Sequence, residues 1–458
     1  MSEIFTRKWS EVSGGRFDVE YHKEVNITTT TYPLKSFVSI RSGKRIPKGE
    51  AYSHAITPYK YLRVEDLDCE SLELDINNLK SIDENIFELL SRYEVHNDEI
   101  VLSIAGTIGK IFLFKNHTNN QVILTENCVK LQAINGVLSK FLSIVLKTSF
   151  LQNQMKRQYI QTTIPKLAIE RVKELQIPQI PNKQIQQQII DIMDNAYQVK
   201  KDKEQQAKEI LDSIDSYLMQ ELGIKLPNND YVSLGQRIFT QKISHLSGTR
   251  FDPNYHQKYY QDLEKALQKG KYPLVKIAEK ALINNILEYI IKYETINYID
   301  ISSVNKENGN IENIKSINSN FPSRARQKVC NGDLLISTLS GSMKAITIVK
   351  SEKKNLIAST GFFVISYTRD LLKIFLMFIL RTNLFQELLK REASGAIMPS
   401  IDKSEFLKLK IPIPPLETQE RIASEINSRK EKVKALQQEA KEILESAKKQ
   451  VENMILGG

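Results

Sequence analysis

The 458-residue chain repeats itself once. Arg16-Phe17-Asp18 with Tyr21-His22 returns 234 residues later as Arg250-Phe251-Asp252 with Tyr255-His256. At the same offset Val95-His96-Asn97-Asp98-Glu99-Ile100 returns as Val329-Cys330-Asn331-Gly332-Asp333-Leu334. Ile164-Pro165 returns as Met398-Pro399, and Ile177-Pro178 as Ile411-Pro412. One long-period repeat means two similar domains and excludes a solenoid of short units. Length alone also asks for more than one core.

Each half closes with a long apolar seam. In the second half it runs through Ile422, Ile426, Val433, Leu436, Ala440, Ile443, Ala447, Val451 and Met454, with a polar gap at Arg429. In the first it runs through Ile185, Ile189, Ile192, Ala196, Val199, Ala207, Ile210, Ile214 and Tyr217, with a polar gap at Lys203. Spacings that alternate between three and four predict helices packed along their length against another helix. Two such helices in one chain are natural partners for each other. Either direction of pairing is within reach of the linker, and the short connection favours antiparallel. At ~1.5 Å per residue each helix is long enough to space two modules by more than one DNA turn of ~34 Å.

Before each seam the pattern is α+β. Short β-type runs such as Glu99 to Ile104 and Asp333 to Thr338 are separated by Gly, Asn and Asp. A helix is expected over Val137 to Gln158, and again over Leu371 to Arg391. Prolines at 178, 181, 412, 414 and 415 end the last strand of each half. The resulting division is a first globular domain (1–182), a first long helix (183–223), a linker (224–249), a second globular domain (250–415) and a second long helix (416–456). The fold class is α+β: two similar modules, each followed by a long helix, the two helices forming an intramolecular antiparallel coiled coil.

The net charge is +10. Most of it sits between residues 250 and 415, where 25 basic residues face 16 acidic ones. That suits a polyanionic partner. The three cysteines, Cys69, Cys128 and Cys330, lack metal-ligand spacing, so they read as reduced cysteines of a cytoplasmic protein. No apolar run approaches the ~20 residues of a membrane span, and the N-terminal residues do not read as an export signal. No nucleotide-binding loop, methyltransferase motif, nuclease cluster or paired-histidine metal site stands out. Gly106-Thr107-Ile108-Gly109-Lys110 lacks the spacing of a phosphate loop and reads as a hairpin turn. His22 and His256 read as packing or hydrogen-bonding residues.

The order of motifs resembles the specificity (S) subunit of type I restriction-modification systems. The likeness is carried by Ser42-Gly43 through Pro47, by Tyr61 through Leu67, and by Asn97-Asp98-Glu99-Ile100 followed by Gly106 to Lys110. It is carried also by Ile411-Pro412-Ile413-Pro414-Pro415-Leu416-Glu417-Thr418-Gln419 at the start of the last helix. The first copy has a weaker proline string, Pro178-Gln179-Ile180-Pro181, and the second lacks the Ser-Gly loop after Pro273. The resemblance implies two target-recognition domains for double-stranded DNA, each reading half of a bipartite target. It implies a non-catalytic chain that scaffolds two adenine-methyltransferase (modification) subunits and restriction/translocase subunits. S-adenosylmethionine, ATP and Mg are then expected on the partners, and no cofactor on this chain. The alternatives are a small self-contained restriction-modification enzyme and a protein scaffold with no DNA role.

Candidate DNA contacts follow from charge and side-chain shape. Arg41, Lys44, Arg45 and Lys48 form the densest basic loop, suited to phosphates or guanine edges. Lys110 and its counterpart Lys344 could reach a phosphate or be merely solvated. Gln161 and Thr162 could read base edges or cap a helix. Arg324 and Arg326 are the second half's chemical counterpart of the basic loop.

Overall fold

The computed structural model describes residues 29–67, 76–158, 165–227, 240, 250–284, 287, 293–395 and 399–457. The chain packs as two units. One holds the described residues up to Glu204 together with those from Gln438 onward, and the other holds Gln205–Gln437.

The strands of the first unit are β1 (Thr31–Pro33), β2 (Val38–Ser42), β3 (Tyr59–Leu62), β4 (Lys80–Ser81), β5 (Ile100–Ser103), β6 (Ile111–Leu113), β7 (Gln121–Leu124), β8 (Cys128–Ala133) and β9 (Gln176–Pro178). They form an antiparallel sheet in the order β2-β8-β5-β6, a second sheet β4-β3-β7, and a β1-β9 pair. The helices are α1 (Glu84–Leu90), α2 (Ser139–Lys147), α3 (Ser149–Gln158), α4 (Ile169–Lys173) and α5 (Lys183–Glu221). All four residues of β5 are buried, because the strand is covered on both faces. Ile100 and Leu102 share a core with α2, α3 and the long helices, whereas Val101 joins Leu62, Leu124 and Phe112 between the two sheets. That alternation is the two-residue period of a strand turned into layers.

The second unit contains β10 (Leu274–Lys276), β11 (Ala281–Asn284), β12 (Ile296–Ile299), β13 (Lys315–Ile317), β14 (Ala325–Lys328), β15 (Leu334–Ser337), β16 (Ile346–Ile348), β17 (Leu356–Ser359), β18 (Phe362–Thr368) and β19 (Lys410–Pro412). Its helices are α6 (Lys258–Gln268), α7 (Ile277–Lys280), α8 (Lys373–Arg381), α9 (Asn383–Glu392), α10 (Lys403–Lys408) and α11 (Leu416–Leu456). The sheet orders are β11-β18-β15-β16, β13-β12-β17-β14 and β10-β19. The repeat in the sequence is thus a repeat of topology, with β14 as an addition.

The single helix expected before each last strand is broken in two, at Thr148 and at Thr382. Both threonines hold extended backbone, with ψ of 152° and 153°. Each hydroxyl donates to a carbonyl three residues back, Val145 at 2.6 Å and Ile379 at 2.7 Å. Each also accepts from the amide three residues ahead, so each threonine ends one helix and caps the next. A glutamine, half-buried at Gln152 and buried at Gln386, completes the joint. Gln152 Nε2 donates to the Leu146 and Gly109 carbonyls, and Gln386 Nε2 to those of Leu380 and Met343. The apolar period runs straight through the break, which hides it from a periodicity argument.

The long helices pair antiparallel in each unit. In the first, Ile189, Met193 and Ala196 of α5 share a core with Leu444, Ala447, Val451 and Ile455 of α11. In the second, Leu218 and Leu222 share one with Ile422 and Ile426. The two polar gaps in the seams are filled across the pair. Lys203 meets Glu439 at 2.5 Å. Arg429 donates to Ser213 Oγ at 2.9 Å and lies over the Tyr217 ring at 4.5 Å. Gly223, at φ +66°, takes the left-handed conformation that closes α5.

Candidate nucleic-acid interface

In the first unit the basic loop after β2 is laid across the turn between β7 and β8. Gly43 N donates to the Cys128 carbonyl at 3.0 Å, and Lys44 N to that of Leu124 at 2.9 Å. A side chain at Gly43 would come within 2.0 Å of the Thr125 carbonyl, so only glycine permits this approach. Arg45 reaches Glu126 in that turn at 2.5 Å while staying 76% exposed. The next residue, Asn127, accepts at its carbonyl from Ile104 N (2.8 Å) and Ala105 N (3.3 Å), at the tip of the β5–β6 hairpin. Gly106 N in turn donates to the Pro165 carbonyl at 3.1 Å. Four segments far apart in sequence therefore lie side by side: basic loop, turn, hairpin tip, and the end of the loop that follows α3. Arg41, Lys44, Arg45 and Lys48 are all exposed on it. Beside Arg45 lies a cleft of about 360 Å³ lined by Tyr52, Tyr61, Arg63 and Asn127. Arg63 is held there by two bonds to Asp66, at 3.0 and 2.7 Å, which raise its pKa, and it lies 5.8 Å from the Tyr52 ring.

The second unit builds the same surface from other residues. Its sequence lacks the Ser-Gly loop that follows β2 in the first copy. Instead the Arg324 carbonyl accepts from Thr360 N, at 2.9 Å, in the β17–β18 turn. β14 follows and alternates buried Ala325 and Gln327 with exposed Arg326 and Lys328. Gly361, in the same turn, accepts at its carbonyl from Thr338 N of the β15–β16 hairpin at 2.9 Å. Ser340 N donates to the Pro399 carbonyl at 2.8 Å. Basic segment, turn, hairpin tip and polar loop again converge.

The two hairpin lysines do not behave alike. Lys110, which the sequence leaves open between a phosphate contact and a solvated position, turns its ammonium inward and donates to the Val64 and Leu67 carbonyls at 3.1 and 2.6 Å. It ties the hairpin to the segment after β3. Lys344 is exposed, with one long contact of 3.5 Å to Asn383 Oδ1. In its unit the tie is made by Arg381. That guanidinium donates to the Lys344 and Ile346 carbonyls of the hairpin and to the Lys306 and Glu307 carbonyls after β12. Lys430 of α11 adds a bond of 2.6 Å to the Asn308 carbonyl. Burial pulls Arg381 down to about 10. Burial first, and then the nearby Arg381 and Lys350 charges, pull Lys430 down to about 8. Gln161 and Thr162 lie outside the described residues.

Sequence reasoning missed Tyr52, Arg63 and Asn127, and Arg381 and Lys430 in the second unit. The only signal was an arginine closing the apolar run Phe375 to Leu380. Among the described residues no three His, Cys, Asp or Glu side chains are grouped to hold a metal ion. Burial pushes the Cys128 thiol up to about 12, far from a reactive thiolate. No described helix is long and apolar enough to cross a membrane.

Two modules with matching basic, polar surfaces on a shared pair of helices define a class of nucleic-acid reader. The family model described as type I restriction modification DNA specificity domain matches residues 26–212 and again residues 254–445. The chain belongs to that family, as the motif order had suggested, and specificity subunits of this kind are not themselves catalysts. It is 26% identical over 383 residues to the specificity subunit of the type I restriction enzyme MjaVIII from Methanocaldococcus jannaschii, over 79% of each chain. A solved structure concerned with complex assembly and conformational transition of the type I restriction-modification system is similar at 14% identity and a TM-score of 0.54. It covers 94% of this chain and 98% of its own, and shows the same fold. An S subunit from M. genitalium, also 14% identical over 94% and 97% of the two chains, gives a TM-score of 0.42, too low to bear on the fold.

Proposed function

We propose that this chain is the sequence-reading and scaffolding subunit of a type I restriction-modification complex. Each module reads one half of a bipartite DNA target, and the paired helices set the gap between the halves. One observation carries the reading: in both units a basic segment, a turn, a hairpin tip and the end of the next loop, at Pro165 and at Pro399, are drawn together by different hydrogen bonds. Arg41, Lys44, Arg45 and Lys48 in the first module, and Arg324, Arg326 and Lys344 in the second, supply the cations. Gln161 and Thr162 join the base-reading set. Phosphate contacts position such a surface, and base-edge contacts give it sequence.

Two modification subunits with S-adenosylmethionine, and restriction subunits with ATP and Mg, bind the complex and carry the chemistry, in the cytoplasm. Methylome sequencing of a host with and without this chain tests the whole reading. One split motif should appear only when the chain is present. Methyl transfer by the purified chain alone would instead make it a self-contained enzyme. Absence of DNA binding even with the modification subunit would make it a scaffold. Deleting one heptad from each long helix should change the preferred gap by about three base pairs, since seven residues span ~10 Å.

A further inference from the structure

The repeated Arg-Phe-Asp motif with its Tyr-His pair lies outside the surface described so far. Its copy in the second unit shows what it holds. Arg250 Nη1 donates to the carbonyls of Arg391 (3.2 Å), Glu392 (3.2 Å) and Ala393 (3.3 Å), and Nη2 to Ala393 again and to Asp252 Oδ2 (both 3.3 Å). These carbonyls end α9, where no intrahelical donor remains, and a cation suits that end of a helix. Asp252 also accepts from Asn254 N at 3.0 Å, and His256 Nε2 meets the Arg250 carbonyl at 2.5 Å. Arg250 is thus fixed from both sides. Phe251 is 79% exposed, so the grip comes from the polar members of the motif.

A half-buried ladder supports this cap. The Tyr255 ring lies 5.4 Å from the Arg250 guanidinium and 4.8 Å from that of Arg391, and Arg391 lies 5.7 Å from the Tyr260 ring. Arg391 is 9% exposed and pairs with Glu264 at 2.8 Å and Glu392 at 2.9 Å. Every charge in the ladder has a partner, so it can act as a rigid base.

Ala393 is also where the polar loop begins. Ser394 and Ser400 exchange backbone bonds of 2.9 Å, Ile401 N donates to the Thr338 carbonyl at 2.9 Å, and Ser340 N donates to that of Pro399. The loop is therefore clamped at two ends, by Arg250 at Ala393 and by the hairpin at residues 399–401. We propose that Arg250 is a positioning residue for sequence reading by the second module. It fixes the polar loop against the hairpin tip and touches no DNA itself. This rests on the reading surface proposed above.

The test uses the full complex with modification subunits. Base preference at each half-site is measured by methylation of a library with randomised targets. The half-site belonging to the second module is identified by exchanging residues 250–415 for those of a relative with another target. R250M should flatten preference at that half-site about tenfold and leave the other unchanged. The salt dependence of binding should stay as in wild type, because no phosphate contact is lost, whereas R324A should lower its slope by about one. R250K keeps the charge but not the fork, and should restore preference in part. Unchanged preference in R250M overturns the proposal, as does a lowered salt slope, which would make Arg250 a contact. Joint loss at both half-sites with a lowered melting temperature would make it a folding residue and also overturn it. If the wild-type complex showed no base preference, the DNA-reading assignment itself would fall, which is a different result from a wild type that reads and an R250M that reads equally well.

Discussion

The two units share one sheet and differ in the other. The sheet facing the long helices has the order β2-β8-β5-β6 in one and β11-β18-β15-β16 in the other, strand for strand. The outer sheets part company at one edge. In the first unit β7 touches the next segment at a single bridge, Glu94 to Ile123, and α1 covers that face with Ile86, Phe87 and Leu90 packed on Tyr61 and Ile123. In the second unit the edge of β17 takes the full strand β14. The layer that must fit the helices is held constant, and the layer away from them is free to change. A reader that needs two different targets on one scaffold requires that division.

The largest test of the contrast lies in the shared sheet itself. Lys130 of β8, with a side chain 4% exposed, meets Glu99 at 3.2 Å and also the Glu94 carbonyl. At the matching place in β18 stands Val364, opposite Leu335 as Lys130 is opposite Val101. E99A leaves a buried ammonium without its carboxylate and should cost the first unit about 3–5 kcal/mol. D333A in the second unit loses the bond from Cys330 N and should cost about 1–2 kcal/mol. Melting curves of the two variants check this, and equal losses would break the comparison.

Next in size are the basic segments. R324A with R326A should weaken DNA binding by about tenfold or more and lower the salt slope by about two. R45A should do less, because Glu126 already engages that guanidinium. Titration at several salt concentrations separates the two.

The tie made by Lys430 gives a pH signature to the second unit. Its pKa is about 8 in the folded chain and near the ordinary 10.5 when unfolded. Between those values the unfolded chain holds a proton that the folded chain has released, so stability rises with pH across that window. The rise is on the order of 1–2 kcal/mol once solvent screening is allowed for, and K430M should lack it. Identical pH profiles for K430M and wild type from pH 8 to 10 would remove Lys430 from the tie. The smallest effect belongs to K203L, which exchanges a surface ion pair for a seam residue and should shift stability by less than about 1 kcal/mol.

Much of this architecture is legible in the sequence, because long periodic signals survive averaging. The repeat at offset 234, the two seams and the proline stops all translate into β9 followed by α5, and β19 followed by α11. What is not legible is set by contacts distant in the chain. The breaks at Thr148 and Thr382 depend on one hydroxyl at each joint and leave the apolar period intact. The placing of Arg45 beside Glu126, and of Arg324 beside Thr360, rests on backbone bonds between segments dozens of residues apart. The inward turn of Lys110 depends on where the Val64 and Leu67 carbonyls end up, which no local pattern encodes.

The antiparallel helices carry a further consequence for the chain as a product of one gene. Each unit is completed by the beginning of one helix and the ending of the other, so neither half of the polypeptide owns a finished core. A chain cut in the linker would leave Ile189, Met193 and Ala196 without the cover of Leu444, Val451 and Ile455. A second copy of the same half could supply an equivalent cover from its own seam. The half-chain is therefore expected to be stable only as a pair, with a melting temperature that climbs with protein concentration, whereas that of the intact chain does not.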